Sequence, residues 1–402
     1  ERAIIAPAGK ILAIEGRPLQ SAAEYPGLKD VILLRSPGDI LPQLTSNVDK
    51  VGNIIVTADT FAEAENQARS VLADISVQVD TSYAWTKEAL ENRARENFTA
   101  DVCHVCKTCD GQNCASGIPG MGGPGQMQGF RDNSKALAEF TIVPRYIQAP
   151  EAADTSFEFL GRKFSMPIMP APMTGATTNL KNAISEMDLG LALARAARAE
   201  DSIAWIGDGS SPEKWTTIQT ILEAMEGFAI LILKPRADMA EIKRRIRIAE
   251  SLRVAAVGMD VDARLLKTMQ RESLPLDTGV LGEIRRSTDL PFIAKGILSL
   301  EDAASAVQAG CDAVVVSNHG GRILDSIPGA ARVLPRIAQE YSNQLTILAD
   351  GGVRSGGDAF KYIALGAQGV LVGRPLAIAA VGGQESGVRF LLRSYRAELL
   401  HT

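Results

Sequence analysis

The 402-residue chain is poor in aromatics, at 5%, and has only three histidines and five cysteines. It lacks any excess of positive charge, since 42 Lys and Arg face 47 Asp and Glu. That balance leaves no electrostatic footprint for a polyanion, so nucleic acid is not expected as a partner. Long apolar runs are missing too: AILIL (229–233) and AVVV (313–316) fall far short of the roughly 18 residues that cross a bilayer. No membrane span is expected, and the chain reads as soluble. No basic stretch followed by an apolar one opens it and residue 1 is Glu, so the reading expects a lost start, no secretion and a cytoplasmic location. What the chain does have is apolar material, 46% of its residues, enough for one or two packed cores and too much for a disordered segment.

From about residue 167, short apolar runs alternate with helical patterns at a regular beat, the signature of βα units and a parallel sheet. Eight runs stand out: 167–173, 202–208, 229–235, 254–260, 291–297, 312–318, 345–351 and 369–375. Eight such units predict an α/β chain closed into a (β/α)₈ TIM barrel. Most of the runs end in polar residues, among them Asp208, Lys234, Asp260, Lys295, Asn318, Asp350 and Arg374, where a barrel gathers its active site. Residues 1–80 read instead as a small α+β module with a helix from about 61 to 74. Residues 81–129 read as a helical linker, a cysteine run and a glycine-rich lid, and 130–402 as the barrel.

Cys103, Cys106, Cys109 and Cys114 fall within twelve residues, too tightly spaced for a spread disulfide framework. The C-x₂-C-x₂-C-x₄-C spacing offers four soft thiolates to a metal in a reducing compartment. Repeated C-x₂-C steps are closer to [4Fe–4S] loops than to the separated pairs of structural zinc, which stays the alternative beside metal-free thiols. His104 inside the loop reads as solvated, and Cys311 as a buried packing residue. The glycines around Met121 need a cluster, a cofactor or an active-site rim to order them.

In SNHGGR (317–322), His319 is the natural general base, because its ordinary pKa lets it take a proton at neutral pH. Arg322 can grip a carboxylate with two parallel hydrogen bonds. Lys295 can stabilise negative charge developing on a cofactor ring, and Asp260, or Asp262 nearby, can hold the protonated imidazole. Asp350, Gly351, Gly352, Val353 and Arg354 follow the seventh run, and Gly373 and Arg374 the eighth, where barrels commonly bind phosphate.

The stretch 130–402 resembles the FMN-dependent α-hydroxy-acid oxidase and dehydrogenase family in VPRYI (143–147), PIMPAPMT (167–174), FIAKGI, VVVSNHGGR, LADGGVRSGGD (348–358) and LVGRP. The resemblance implies FMN, with Pro172, Met173, Thr174 and Ser317 against the flavin, Lys295 at its N1 side, and Asp350–Arg354, Gly373 and Arg374 on the ribityl and phosphate groups. It also implies His319 as base, Arg322 on the substrate carboxylate and Asp260 orienting the imidazolium. The product would be a 2-keto acid made from a 2-hydroxy acid or related small carboxylate. A redox cluster beside the flavin would pass electrons singly to a carrier protein, and a homo-oligomer is expected. The chain departs from the family pattern at Ile230, Ile232 and Gly258, and its loop after the fourth run offers only Arg264, with Lys234 a substitute cation. The branch therefore reads as divergent. Residues 1–80 resemble the C-terminal lobe of ATP-grasp enzymes in GKILAIEG, SPGDIL and NIIVTADTFAEAENQARSVLADI, without the nucleotide-binding lobe that ATP would need.

Overall fold

The computed structural model describes residues 1–402 except 115, 116, 145, 146, 148–152, 210, 267, 268 and 270–272. The VPRYI motif lies partly outside the described residues, at Arg145 and Tyr146. The chain forms two compact units, Glu1–Thr86 and Lys87–Thr402.

In the larger unit each apolar run becomes a strand: β1 (Ile168–Pro170), β2 (Ala204–Gly207), β3 (Ala229–Leu233), β4 (Ala256–Asp260), β5 (Phe292–Ile297), β6 (Ala313–Val316), β7 (Thr346–Asp350) and β8 (Gly369–Val372). Neighbours pair in parallel from β2 through β8, and β8 returns to β1. The remaining seam is stitched by the Ser202 hydroxyl, which donates to the Ile168 carbonyl at 2.7 Å. The result is a (β/α)₈ barrel. Its strands are apolar on both faces because one face fills the barrel and the other packs on helices.

Met169, Trp205, Ile230, Ile232, Ile293, Val315, Leu348 and Leu371 share the interior cluster. A hairpin of Phe157–Phe159 with Arg162–Phe164 adds Phe157, Phe159 and Phe164 to it, with Phe159 stacked on Trp205 at 6.3 Å between centroids. Each such buried side chain contributes about 1.5–3 kcal/mol, so the interior is a core and the chemistry is left to the strand ends. Several outer helices start at a serine or aspartate whose side chain accepts a first-turn N–H: Ser185, Ser211, Asp238, Asp277, Ser299 and Ser355.

The structure corrects the reading of residues 81–102 as a linker. The helix Lys87–Asn97 buries Leu90 and Ala94, and Gly382 of the long helix Arg374–His401 lies so close that a Cβ there would stand 2.3 Å from the Leu90 carbonyl oxygen. The charged composition reports the solvent face, while two apolar positions fix the other.

In the smaller unit, two three-stranded sheets and the helix Phe61–Ala73 enclose Ile4, Ile11, Leu41, Val51, Ile54 and Val71. Thr60 and Glu63 form a capping box at the start of that helix.

Candidate active site

β4 and β5 are in register with Asp260 beside Lys295, which forces a carboxylate and an ammonium together at the barrel mouth. Lys295 Nζ lies 3.1 Å from Asp260 Oδ1 and 3.5 Å from Asp350 Oδ2, and it approaches Ser317 Oγ at 3.5 Å. Burial alone would raise the Asp260 carboxyl, but the positive charges of Lys295, His319 and Lys234 outweigh it and hold the group well below the usual carboxylate range. Burial would likewise lower Lys295, and the surrounding carboxylates of Asp260 and Asp350 hold it above its ordinary value instead.

His319 follows β6 with φ +55°, a left-handed conformation uncommon outside glycine, and Gly320 and Gly321 continue it at +65° and +73°. The Ser317 hydroxyl accepts the His319 backbone N–H at 3.0 Å and so helps set this turn. His319 Nδ1 lies 3.0 Å from Asp262 Oδ1 and 3.9 Å from Asp260 Oδ1. The direct partner of the imidazole is therefore Asp262, and the expectation of Asp260 in that place is corrected: Asp260 is drawn to the two lysines. Asp260, Asp262 and His319 stand close enough to ligate a cation, yet Lys295 and Lys234 already supply positive charge there.

One cavity collects Pro172, Met173, Thr174, Asp260, Lys295, His319, Arg322, Asp350–Arg354, Gly373 and Arg374. Ser317 is not on its wall but lies buried behind Lys295 and His319. At the far end, the Arg374 guanidinium sits 4.4 Å from the centre of the Phe130 ring and donates from Nε to the Met121 carbonyl at 2.8 Å. Its Nη2 is buried without a hydrogen-bond partner. Burial, then repulsion from Arg322 and Arg354, pushes its pKa down to about 9, so the end of the cavity has a standing demand for an anion. A helix begins at Arg374, with Pro375 in its first turn, so side chains rather than a row of backbone N–H groups supply the donors at this end. An orphaned guanidinium nitrogen beside a helix start fits a phosphomonoester.

The glycines have a second reason to be there. A Cβ at Gly321 would meet Phe130 N at 2.2 Å, one at Gly351 would meet Asn133 Oδ1 at 2.5 Å, and one at Gly352 would meet the Asn133 backbone at 2.8 Å. These loops are shaped as much by the helix Gln128–Glu139 as by a ligand. Asn133, which the sequence reading passes over, donates to Asn318 Oδ1 at 2.8 Å and ties this helix to the loop after β6.

The glycine-rich segment before that helix is a strap held by the barrel rim. Arg322 Nη1 donates to the carbonyls of Gly120 and Gly122, each at 2.7 Å, and Nη2 donates to Asn179 Oδ1 at 3.0 Å. Asp325 accepts the backbone N–H groups of Gln126 and Gln128 at 2.7 Å. Arg322, expected to hold a substrate carboxylate, is thus engaged by three neutral oxygens of the protein. Asp208 is likewise absorbed, by Arg236 at 2.9 Å and by Arg245. Arg264 is exposed in the turn Val261–Leu265, away from the cavity wall.

The four cysteines are free thiols on the loop leading to the strap. Three of their sulfurs accept N–H groups: Cys103 from Val105 at 3.4 Å, Cys106 from Asn113 at 3.2 Å and Cys109 from Arg354 at 3.5 Å. Arg354 therefore touches both the cysteine loop and the anion end of the cavity. Burial pushes the Cys103 thiol up to about 11.

What the strand ends define is a barrel enzyme whose cavity runs from a buried cationic end at Arg354 and Arg374 to His319 and Asp260. The chain belongs to the FMN-dependent dehydrogenase family, which it matches over residues 121–277 and 267–402. It is an oxidoreductase with FMN as its cofactor. Among its relatives, glycolate oxidase 1 of Oryza sativa subsp. indica is 30% identical over 67% of this chain and 81% of its own length. The L-lactate oxidase of Lacticaseibacillus rhamnosus is 30% identical over 66% and 79%. A mandelate oxidase crystal structure with (S)-4-hydroxymandelic acid is 28% identical, with a TM-score of 0.67 over 79% of this chain and 93% of that one. Residues 2–80 match the L-amino acid ligase C-terminal domain 2, over the stretch that resembles the ATP-grasp lobe.

Proposed function

We propose that the protein oxidises a 2-hydroxy acid or a related small carboxylate to the 2-keto product. The observation that carries this reading is His319 on the wall of the cavity that ends at Arg354 and Arg374, with Asp262 behind its Nδ1 at 3.0 Å. Relatives named for the oxidation of glycolate, L-lactate and mandelate support the same class. FMN, when bound, supplies the acceptor for two electrons. Its phosphate would be held by Arg354, Gly373 and Arg374, and its ring by Pro172, Met173, Thr174 and Lys295. With Nδ1 facing Asp262, His319 takes the substrate hydroxyl proton or α-proton at Nε2, and Asp262 stabilises the imidazolium that results. The substrate gives up two electrons and two protons in all, leaving a keto group.

We infer further that Cys103, Cys106, Cys109 and Cys114 bind a [4Fe–4S] cluster, with zinc the alternative, through which electrons leave singly for a carrier protein. N–H groups aimed at three of the sulfurs suit metal-bound thiolates, and hydrogen bonds to sulfur tune cluster potentials. Among the described residues no three of these sulfurs lie within 4.8 Å of one another, whereas one tetrahedral zinc would hold them about 3.8 Å apart.

One anaerobic spectrum tests both parts. A panel of 2-hydroxy acids should include one that bleaches the flavin bands, and His319→Gln should slow that bleaching by about 10²–10⁴-fold with flavin still bound. Broad visible absorbance left beneath the bleached flavin supports the iron–sulfur cluster. Bleaching by none of the panel would sink the first reading; a flavin-only spectrum would sink the iron–sulfur cluster, bound zinc then supporting the alternative and the lack of any bound metal sinking both.

A further inference from the structure

A cluster held by four cysteines needs room of its own, and this inference rests on the [4Fe–4S] reading above. One zinc ion would be enclosed by its four sulfur ligands, whereas a cube of iron and sulfide has a body that the fold must accommodate. Protein interiors hold few voids larger than a water molecule, so a large one beside a cysteine loop asks for an occupant.

Such a void exists. A cavity of about 420 Å³ is bounded by the cysteine loop and by the helices Lys87–Asn97, Gln128–Glu139 and Arg374–His401. Cys106 and Cys109 are on its wall, and Cys103 and Cys114 flank them on the loop. The four thiols are neighbours: burial raises Cys103 first, and the charges of Cys109, Cys114 and Cys106 push it the same way. Leu90, Leu137, Ile378 and Leu391 make up an apolar part of the wall, which shields an occupant from water. Arg354 and Arg374 supply cations, and Tyr395, 2% exposed, brings a phenol. A cluster on four thiolates is an anion, and Arg354 Nη2 already donates to Cys109 Sγ at 3.5 Å. Gly352, Arg354 and Arg374 also line the cavity assigned to FMN, so the two cavities share that wall.

We propose that this second cavity is the seat of the cluster, with Cys106 and Cys109 presenting it from the loop, and that the cluster stands at the phosphate end of FMN with Arg354 and Arg374 shared between two anions. Sharing couples the occupants. The FMN phosphate places negative charge beside a group that becomes more negative on reduction, so bound FMN lowers the reduction potential of the cluster. By reciprocity, reduction of the cluster weakens FMN binding.

The test uses the full chain reconstituted anaerobically with iron and sulfide. Ile378→Trp and Ser134→Phe, on two different helices, each fill the cavity and leave all four cysteines in place. Each should lose most of the bound iron and sulfide and most of the electron paramagnetic resonance signal of the dithionite-reduced chain, with bound flavin retained as the sign of a folded barrel. Ile378→Ala leaves the cavity open and should load as the unsubstituted chain does. A redox titration of the unsubstituted chain with and without FMN needs no variant, and the FMN-loaded form should show the lower cluster potential. Full cluster loading in both filled variants, or a potential indifferent to FMN, would overturn the inference and leave the cluster reading intact. An unsubstituted chain that takes up no iron refutes the cluster reading itself, and this seat with it.

Discussion

Asp260 sits where two strand ends place two ammonium groups within 4 Å of one carboxylate, at 3.1 Å for Lys295 and 3.8 Å for Lys234. Its neutralisation would leave buried cations short of a partner. Asp260→Asn is therefore expected to cost about 3–5 kcal/mol of stability, read as a fall in denaturation midpoint at pH 7. The pH dependence has a definite sign. Asp260 is held below its ordinary pKa in the folded chain. Its contribution is thus fully present above the unfolded value of about 3.9 and is lost as the pH falls further toward the folded one. Thermal melts from pH 5 to pH 3 should show a shallower loss of stability in Asp260→Asn than in the unsubstituted chain. At this scale the polar strand ends are legible in the sequence, because a barrel gathers them at one mouth. The partners are not: whether Asp260 or Asp262 meets His319 depends on where the turn Val261–Leu265 carries the second carboxylate, and no spacing rule reports that.

The helix Gln128–Glu139 and the loops after β6 and β7 are fitted to one another through glycine. Gly321 has φ +73°, and a Cβ there would stand 2.2 Å from Phe130 N. Gly321→Ala should lower stability by more than about 2 kcal/mol, through both backbone strain and the clash, and should weaken FMN binding because Phe130 supports Arg374. Flavin fluorescence during titration and a denaturant midpoint would measure the two effects. Gly38 has nothing within 4 Å of its would-be Cβ, so Gly38→Ala should carry strain without the clash and leave FMN affinity as it was. The sequence motif suggests a ligand cradle, and the packed helix is the part that only the fold supplies. The departures from the family pattern are similarly coupled. A Cβ at Gly258 would lie 2.8 Å from Ile232 Cδ1 and 2.4 Å from the Ile293 carbonyl oxygen, so the large Ile232 and the missing side chain at 258 belong together.

At the scale of the molecule, Glu1–Thr86 and Lys87–Thr402 each have their own buried core. Calorimetry of the full chain should resolve two transitions, and added FMN should raise only the one that belongs to the barrel. A single transition moving as a whole with FMN would contradict that. No helix among the described residues is long and apolar enough to cross a membrane.

The sequence by itself determined the barrel, because eight apolar runs at a βα beat have few other ways to bury both faces, and it determined which residues crowd the strand ends. It also marked the histidine and the phosphate-end arginines, whose chemistry is carried in their side chains wherever they fall near a strand end. Only the tertiary structure decided the pairings. Arg322 goes to the strap, Asp208 to two arginines, Asp260 to two lysines and His319 to Asp262, since each charge settles on the nearest partner that burial leaves it, and those distances exist only once the chain is folded.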